Sequence, residues 1–287
     1  MTTLDTAPAP SGRRAASTRP PTHVVADAVT MLHRNLLHMV RYPGLSVFTI
    51  VVPVVFLLML VFVFGGTLGA GLPGAVAPGV EATGGRAAYL AYVMPGILLV
   101  TIAGTAGGTA TTVSMDMTEG ITARFRTMAI SRAAVLAGHV LGNTIQALIA
   151  VALVLVVGIA IGFRPTASPV EWLAVAGLLA AIAFTVTWLG VGMGMQAKSV
   201  ETASNLPLIL SLLPLLGSGF VPTASMPDAL QGFADYQPFT PFIETVRGLL
   251  LGTPFGSNPA LAIGWCVLLT VVGFAWSIAL YERKSVR

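Results

Sequence analysis

Charge is what this sequence has least of. Only 9% of its 287 residues are Asp, Glu, Lys or Arg, against about 25% in ordinary soluble domains. Its one cysteine, Cys266, excludes an internal disulfide framework and any cysteine-rich metal site. Cys266 lies inside an apolar run and reads as a small core residue. Histidines number four. His33 and His38 stand five positions apart, which is poor spacing for one helix face, and no carboxylate completes a site around them or His23. They read as interfacial side chains rather than metal ligands. No nucleophile elbow is present. The stretch from Gly192 to Ser199, GMGMQAKS, comes near a phosphate-binding loop but has Ala197 where the second glycine must precede the lysine. Nucleotide hydrolysis by this chain is therefore excluded by motif.

What the sequence has instead is apolar length. Apolar residues make up 55% of the chain, and the mean hydropathy is +0.86. They fall in six runs, at 46–64, 89–113, 133–162, 170–195, 203–220 and 260–281. About 20 such residues cross a hydrocarbon core about 30 Å thick. The fold class expected is an all-α integral membrane protein with six transmembrane helices. No acidic residue falls deep in a run, since Asp116, Glu119, Glu171 and Glu201 sit at ends or in loops. Carriers driven by ion gradients usually hold carboxylates at membrane depth, so that class is disfavoured.

Six spans put both termini on one side. That side carries Arg13, Arg14, Arg19, Arg34, Arg41, Arg124, Arg126, Arg132, Lys198, Arg283, Lys284 and Arg287, whereas the other carries Arg86, Arg164 and Arg247. The asymmetry marks the first side as cytoplasmic, and the cell (plasma) membrane is the location expected. The net charge of +4 is then a topology signal, with several Arg near anionic lipid headgroups, and not a nucleic-acid footprint.

Residues 1–22, rich in Pro, Ala, Thr and Arg, read as a disordered cytoplasmic tail. Residues 23–287 form one transmembrane domain. It begins with an amphipathic interfacial helix over 24–42, with Val25, Val29, Leu32 and Leu36 on one face. Tyr42-Pro43-Gly44 turns the corner, and 65–85 is a Gly-, Ala- and Pro-rich external loop. Span two contains Pro95-Gly96 and the small-residue stretch 104–112, with Gly104 and Gly108 in GxxxG spacing, as are Gly190 and Gly194. Such spacing serves close helix packing or a flexible path-lining element. Span five is interrupted by Pro207, Pro214, Gly217 and Gly219, and prolines break helices. It is a second candidate for lining a path. The external stretch 221–256 carries two short apolar helices, at 226–233 and 241–251, that cannot span and read as re-entrant or interfacial caps. Glu244 and Arg247 stand three apart there and either pair on one helix face or bind a substrate.

The polar insert at 114–132 is the anomaly. DMTEGITARFRTMAISR holds Asp116, Glu119, Arg124, Arg126 and Arg132 between two apolar spans. Placed in the cytoplasm of a chain without a nucleotide motif, it is where energy would arrive from a separate subunit. An aromatic, Phe125, between two arginines is a contact that fixes register with a partner.

These residues resemble the membrane subunit of type-2 ABC exporters of the daunorubicin-resistance permease kind. The likeness rests on Asp116-x-x-Glu119-Gly120 with Arg124-Phe125-Arg126 and Ile130-Ser131-Arg132, on GIAIGFRP at 158–165, and on Gly219-Phe220-Val221-Pro222, Met226-Pro227, Gln237-Pro238 and Arg247-Gly248. Ala129 stands where the family often has proline. The resemblance covers 24–287. It implies a dimer of permease chains, identical or sibling, above an ATP-binding-cassette ATPase dimer that alone carries ATP and Mg. It implies a coupling helix at Glu119, Arg124, Phe125, Arg126, Ser131 and Arg132, and a second ATPase contact from the interfacial helix near Arg34 and Arg41. The expected function is export of an amphipathic or hydrophobic molecule. A self-contained channel or ion-coupled carrier is the alternative, and a membrane enzyme has no candidate constellation.

Overall fold

The computed structural model describes residues 43–70, 85–118, 132–254 and 256–285. Every regular element among them is helical. Helix α1 (Pro43–Met59) starts on a proline, whose missing N–H costs nothing in a first turn. It continues through a π-helical turn at Leu60–Phe64 into α2 (Gly65–Ala70). The helix thus runs past residue 64, where a loop was expected. Backbone groups that face lipid have no partner but one another, which favours helix even through Gly65-Gly66.

Helix α3 (Arg86–Thr118) has 33 residues. At 1.5 Å per residue it is about 50 Å long, so it projects well beyond a hydrocarbon core of about 30 Å. Helix α4 covers Arg132–Ala160 and α5 covers Pro169–Gln196. A capping box starts α5: the Glu171 backbone N–H donates to Ser168 Oγ, and the Ser168 backbone N–H donates to Glu171 Oε2. The pairing satisfies helix-end donors that would otherwise be orphaned. At the far end of α4, Gly162 takes a φ of 116°, and Arg164 Nη1 donates to the Ile159 carbonyl at 2.9 Å. The last long helix is Asn258–Ser285.

The expected span at 203–220 is not one helix. It is α6 (Val200–Asn205), α7 (Leu208–Leu212) and a 3₁₀ turn at Leu213–Leu216, followed by non-helical chain from Gly217 to Phe220. Pro207 and Pro214 supply no helical N–H, and Gly217 has extended backbone as the cap of the 3₁₀ turn. Among the described residues, five helices are therefore long and apolar enough to cross a membrane. Two short helices follow, α8 (Asp228–Tyr236) and α9 (Phe239–Leu251), and Asn258–Ser285 becomes α10. Helix α8 starts two residues later than its pattern predicted. Pro227 follows Met226, and a residue before proline is driven out of helical conformation.

Helix α3 is the centre of the bundle. Tyr89, Met94, Ile97, Leu98, Leu99 and Ile102 are fully buried against α1, α4, α5 and α9. Helices α1 and α10 leave most of their apolar surface outward, as lipid-facing helices do. The α3–α5 contact is a small-residue seam. A methyl group built on Gly194 would stand 2.5 Å from the Ala110 carbonyl oxygen, and one on Gly190 3.1 Å from that of Ala106. Without side chains there, the helix backbones approach closely enough for extensive dispersion contact, the main attraction between helices in lipid. Thr101, Thr109, Thr111 and Thr112 return their hydroxyls to the carbonyls four residues back. That satisfies polar groups inside an apolar bundle.

Candidate functional site

Three elements converge in the first turns of α3. On α3, Pro95 lacks an N–H and its ring crowds the carbonyl four residues back. The carbonyl left without its helical donor is that of Ala91. Next to it, Gly96 makes a notch into which the chain at Gly219 settles. A methyl group on Gly96 would stand 2.7 Å from the Gly219 carbonyl oxygen. The second element is the unwound end of the fifth segment, where Pro214, Gly217, Ser218 and Gly219 are all buried. The third is α9 with the turn before it.

Arg247 ties the three together. It is 4% exposed, and its guanidinium lies 4.1 Å from the centroid of the Tyr92 ring, a cation–π contact. Nη2 donates to the Ser218 carbonyl at 2.7 Å and to the Tyr92 carbonyl at 3.2 Å. Nη1 pairs with Glu244 one turn back on α9. The Tyr92 hydroxyl donates to the same Ser218 carbonyl at 2.9 Å. Removing such a charge from water is costly, and the cost is offset only when partners meet it from several sides. Here a carboxylate, a ring face and two carbonyls do so.

The network has unused capacity. Arg247 Nε, Ser218 Oγ and both polar atoms of Gln237 are buried without a protein partner. Gln237 Nε2 and Thr240 Oγ1 each sit 2.8 Å from where a side chain on Gly217 would begin. A side chain there would have to displace both. On the far side of α9, the Thr166 N–H donates to the Leu250 carbonyl at 2.9 Å, and Gly252 ends the helix with φ of 68°. The cap is thus fastened to the α4–α5 loop as well as to α3.

Of the residues singled out in the sequence, Pro95, Pro214, Glu244 and Arg247 meet at this junction. The pairing of Glu244 with Arg247 follows the three-residue spacing that predicted it. Pro95, Pro207 and Pro214 are buried within the chain, whereas Gly104 is exposed and Gly108 half-exposed, with open space beyond each. The Gly104 face of α3 continues to Thr111, whose hydroxyl is 3.0 Å from that of Ser204 on α6, and to Met115, which is exposed. Glu119, Arg124, Phe125, Arg126 and Ser131 lie outside the described residues, as do Arg34, Arg41 and the expected helix at 24–42; Arg132 is the first residue of α4. Tyr92, Ser218 and Gln237 went unremarked as site residues, although Gln237-Pro238 belonged to the family likeness. No spacing in the sequence marks Tyr92. Among the described residues no group of three or more His, Cys, Asp or Glu gathers to hold a metal ion.

Comparison with known proteins gives this architecture its place. The chain is 27% identical over 263 residues to the daunorubicin resistance ABC transporter permease protein DrrB1 of Streptomyces coeruleorubidus, covering 91% of this chain and 88% of that one. It is 27% identical over 170 residues to the probable doxorubicin resistance ABC transporter permease protein DrrC of Mycobacterium tuberculosis, covering 58% and 60% of the two chains. It is 32% identical over 80 residues to nodulation protein J of Bradyrhizobium diazoefficiens, or 28% of this chain and 30% of that one. Residues 27–251 match the family described as ABC-2 type transporter. With that match spanning most of its length and five membrane-length apolar helices, the chain belongs to the ABC-2 type transporter family and is a multi-pass membrane protein.

Proposed function

We propose that this chain is the permease subunit of an ATP-driven exporter that moves an amphipathic or hydrophobic molecule, drug- or lipid-like, out of the cytoplasm or inner leaflet. The observation that carries the reading is the family match over 27–251, joined to relatives named for daunorubicin and doxorubicin resistance. Two copies, or a copy and a sibling, form the membrane dimer in contact with lipid. A separate ATP-binding subunit pair holds ATP and Mg and does the hydrolysis, and this chain carries no cofactor and no ATPase site. The fifth segment acts as a sixth, broken crossing, both termini lie in the cytoplasm, and the junction around Arg247 lies outside.

In this reading the loop after α3 is the coupling element. Glu119, Arg124, Phe125, Arg126, Ser131 and Arg132 seat in the ATPase, with Arg34 and Arg41 of the interfacial helix as a second contact. Residues 1–22 are a tail, and 23–287 form the permease domain. Movement of the ATPase pair shifts α3 and the fifth segment. The substrate passes along the face that Gly104, Gly108 and Thr111 leave open, held by apolar and small side chains.

Mechanically, the chain's own residues provide rigid and loose parts. The Gly190–Gly194 seam locks α5 to α3. Between α3 and α6, which pack together, Thr111 and Ser204 share a hydroxyl contact near the surface. The test is reconstitution in vesicles with and without the ATP-binding subunit. Accumulation of a fluorescent anthracycline that needs both the subunit and hydrolysable ATP supports the reading. Full-rate transport by the chain alone under an ion gradient overturns it.

A further inference from the structure

Arg247 is buried, charged and bonded to three elements, yet the exporter reading gives it no task. Its partners are unusual in kind. Two are backbone oxygens on different elements: Tyr92, in the turn before Pro95, and Ser218, in non-helical chain. The Ser218 carbonyl receives both the Arg247 guanidinium and the Tyr92 hydroxyl. The unwound end of the fifth segment is therefore held to α3 by two donors converging on one oxygen. Below it, Gly219 rests on Gly96 with no side chain between them. Farther along α3, where α6 and α7 also pack against it, the side-chain hydrogen bond to the same segment joins the Thr111 and Ser204 hydroxyls near the surface.

The hydrogen bonding is buried and charge-assisted at one end and neutral and near the surface at the other, which sets a firm end against a looser one. The firm end is also not saturated. Arg247 Nε, Ser218 Oγ and the Gln237 amide are buried with unmet hydrogen-bonding capacity. A partly satisfied polar network is a shallower well than a complete one, which suits a contact that must release. Glu244 is about a quarter exposed on its side chain, so Arg247 keeps a counter-charge at the surface when it leaves the carbonyls.

We propose that Arg247 is the positioning residue that latches the end of the fifth segment shut against α3, through the Ser218 and Tyr92 backbone oxygens, and that each transport cycle breaks and remakes this latch. The cyclic part rests on the exporter reading above, and the latch itself does not.

Thiol protection at Ser218 reads the latch directly. Ser218→Cys leaves the carbonyl in place and changes a hydroxyl that has no partner. It is made in a Cys266→Ala background, so that the new thiol is the only one. The protein is held in lipid nanodiscs, where a soluble maleimide reaches both faces and orientation does not matter. Tyr236→Cys, made separately at a site 83% exposed, gives the rate of an open thiol. With Arg247 present, the Ser218→Cys thiol reacts at least about 100-fold more slowly than that reference. Arg247→Met keeps length and packing but donates nothing, and it raises the Ser218→Cys rate at least about tenfold. Tyr92→Phe removes one of the two donors and raises it by a smaller factor.

Fast labelling with Arg247 intact overturns the latch. So does undiminished protection in a folded, monodisperse Arg247→Met protein. If that variant does not fold, Tyr92→Phe decides alone, and no rise in it contradicts the proposal. Adding the ATP-binding subunit with Mg-ATP then tests the cycle. Turnover that opens Ser218→Cys to labelling supports release, and turnover that leaves it protected overturns release. Where no ATP-binding subunit drives transport, the exporter reading fails while the labelling ratios still judge the latch.

Discussion

Gly96 and Gly219 touch backbone to backbone. A methyl group on Gly96 would stand 2.7 Å from the Gly219 carbonyl oxygen, and one on Gly219 would stand 3.1 Å from the Gly96 α-carbon. The notch follows from Pro95-Gly96 in α3 and from the unwinding of the fifth segment at Gly217. It seats Ser218 where Arg247 and Tyr92 reach it.

Filling the notch must push these elements apart. Overpacking a tight interior contact costs about 1–3 kcal/mol, so Gly96→Val lowers the thermal midpoint in detergent. Gly104→Ala is the control, because nothing lies within 4 Å of its new methyl. In a helix interior that change gains about 0.5–1 kcal/mol, so its midpoint stays level or rises. A Gly96→Val midpoint equal to that of the parent protein contradicts the packing.

The seam between α3 and α5 makes a second claim. Gly194→Val forces a branched side chain against the Ala110 backbone, where the first carbon alone would stand at 2.5 Å from oxygen. Reduced yield of monodisperse protein is expected, with Gly177→Val unaffected because Gly177 has open space around it. Equal yields of the two variants contradict the seam.

Motion at the loose end can be arrested. Thr111 and Ser204 bring their hydroxyl oxygens to 3.0 Å, so cysteines at both positions, with Cys266→Ala, are near the reach of a disulfide. Oxidation is expected to stop ATP-driven transport and reduction to restore it. Full transport by the quantitatively cross-linked protein contradicts movement of the fifth segment along α3.

Coupling is tested by removing the aromatic and its flanking charges. Arg124→Ala, Phe125→Ala and Arg126→Ala together are expected to abolish co-purification of the ATP-binding subunit, or to leave its ATPase unresponsive to substrate. Membrane insertion stays intact, because no apolar span changes. Normal transport by the triple variant removes the coupling role.

The long helices were legible because lipid imposes a simple rule. An apolar run long enough to cross must satisfy its backbone internally, so runs at 89–113 and 170–195 became Arg86–Thr118 and Pro169–Gln196. The pairing of Glu244 with Arg247 was legible for the same local reason, since residues three apart share a helix face. The partners that give Arg247 its place were not. Tyr92 is 155 residues away in sequence and Ser218 is 29, and no periodicity connects them. The prolines at 207 and 214 announced that the fifth run would break. Where the broken end would rest depended on Gly96, whose meaning appears only when Gly219 is beside it.

The central claim is that this permease moves substrate only on energy delivered by another subunit. The most direct measurement is anthracycline accumulation in proteoliposomes that hold this chain with its ATP-binding subunit, Mg and ATP, compared with vesicles lacking the subunit or given a non-hydrolysable analogue. The expected result is transport in the complete system and none above leak in the other two. Equal accumulation in all three, or transport that follows an imposed ion gradient without ATP, contradicts it.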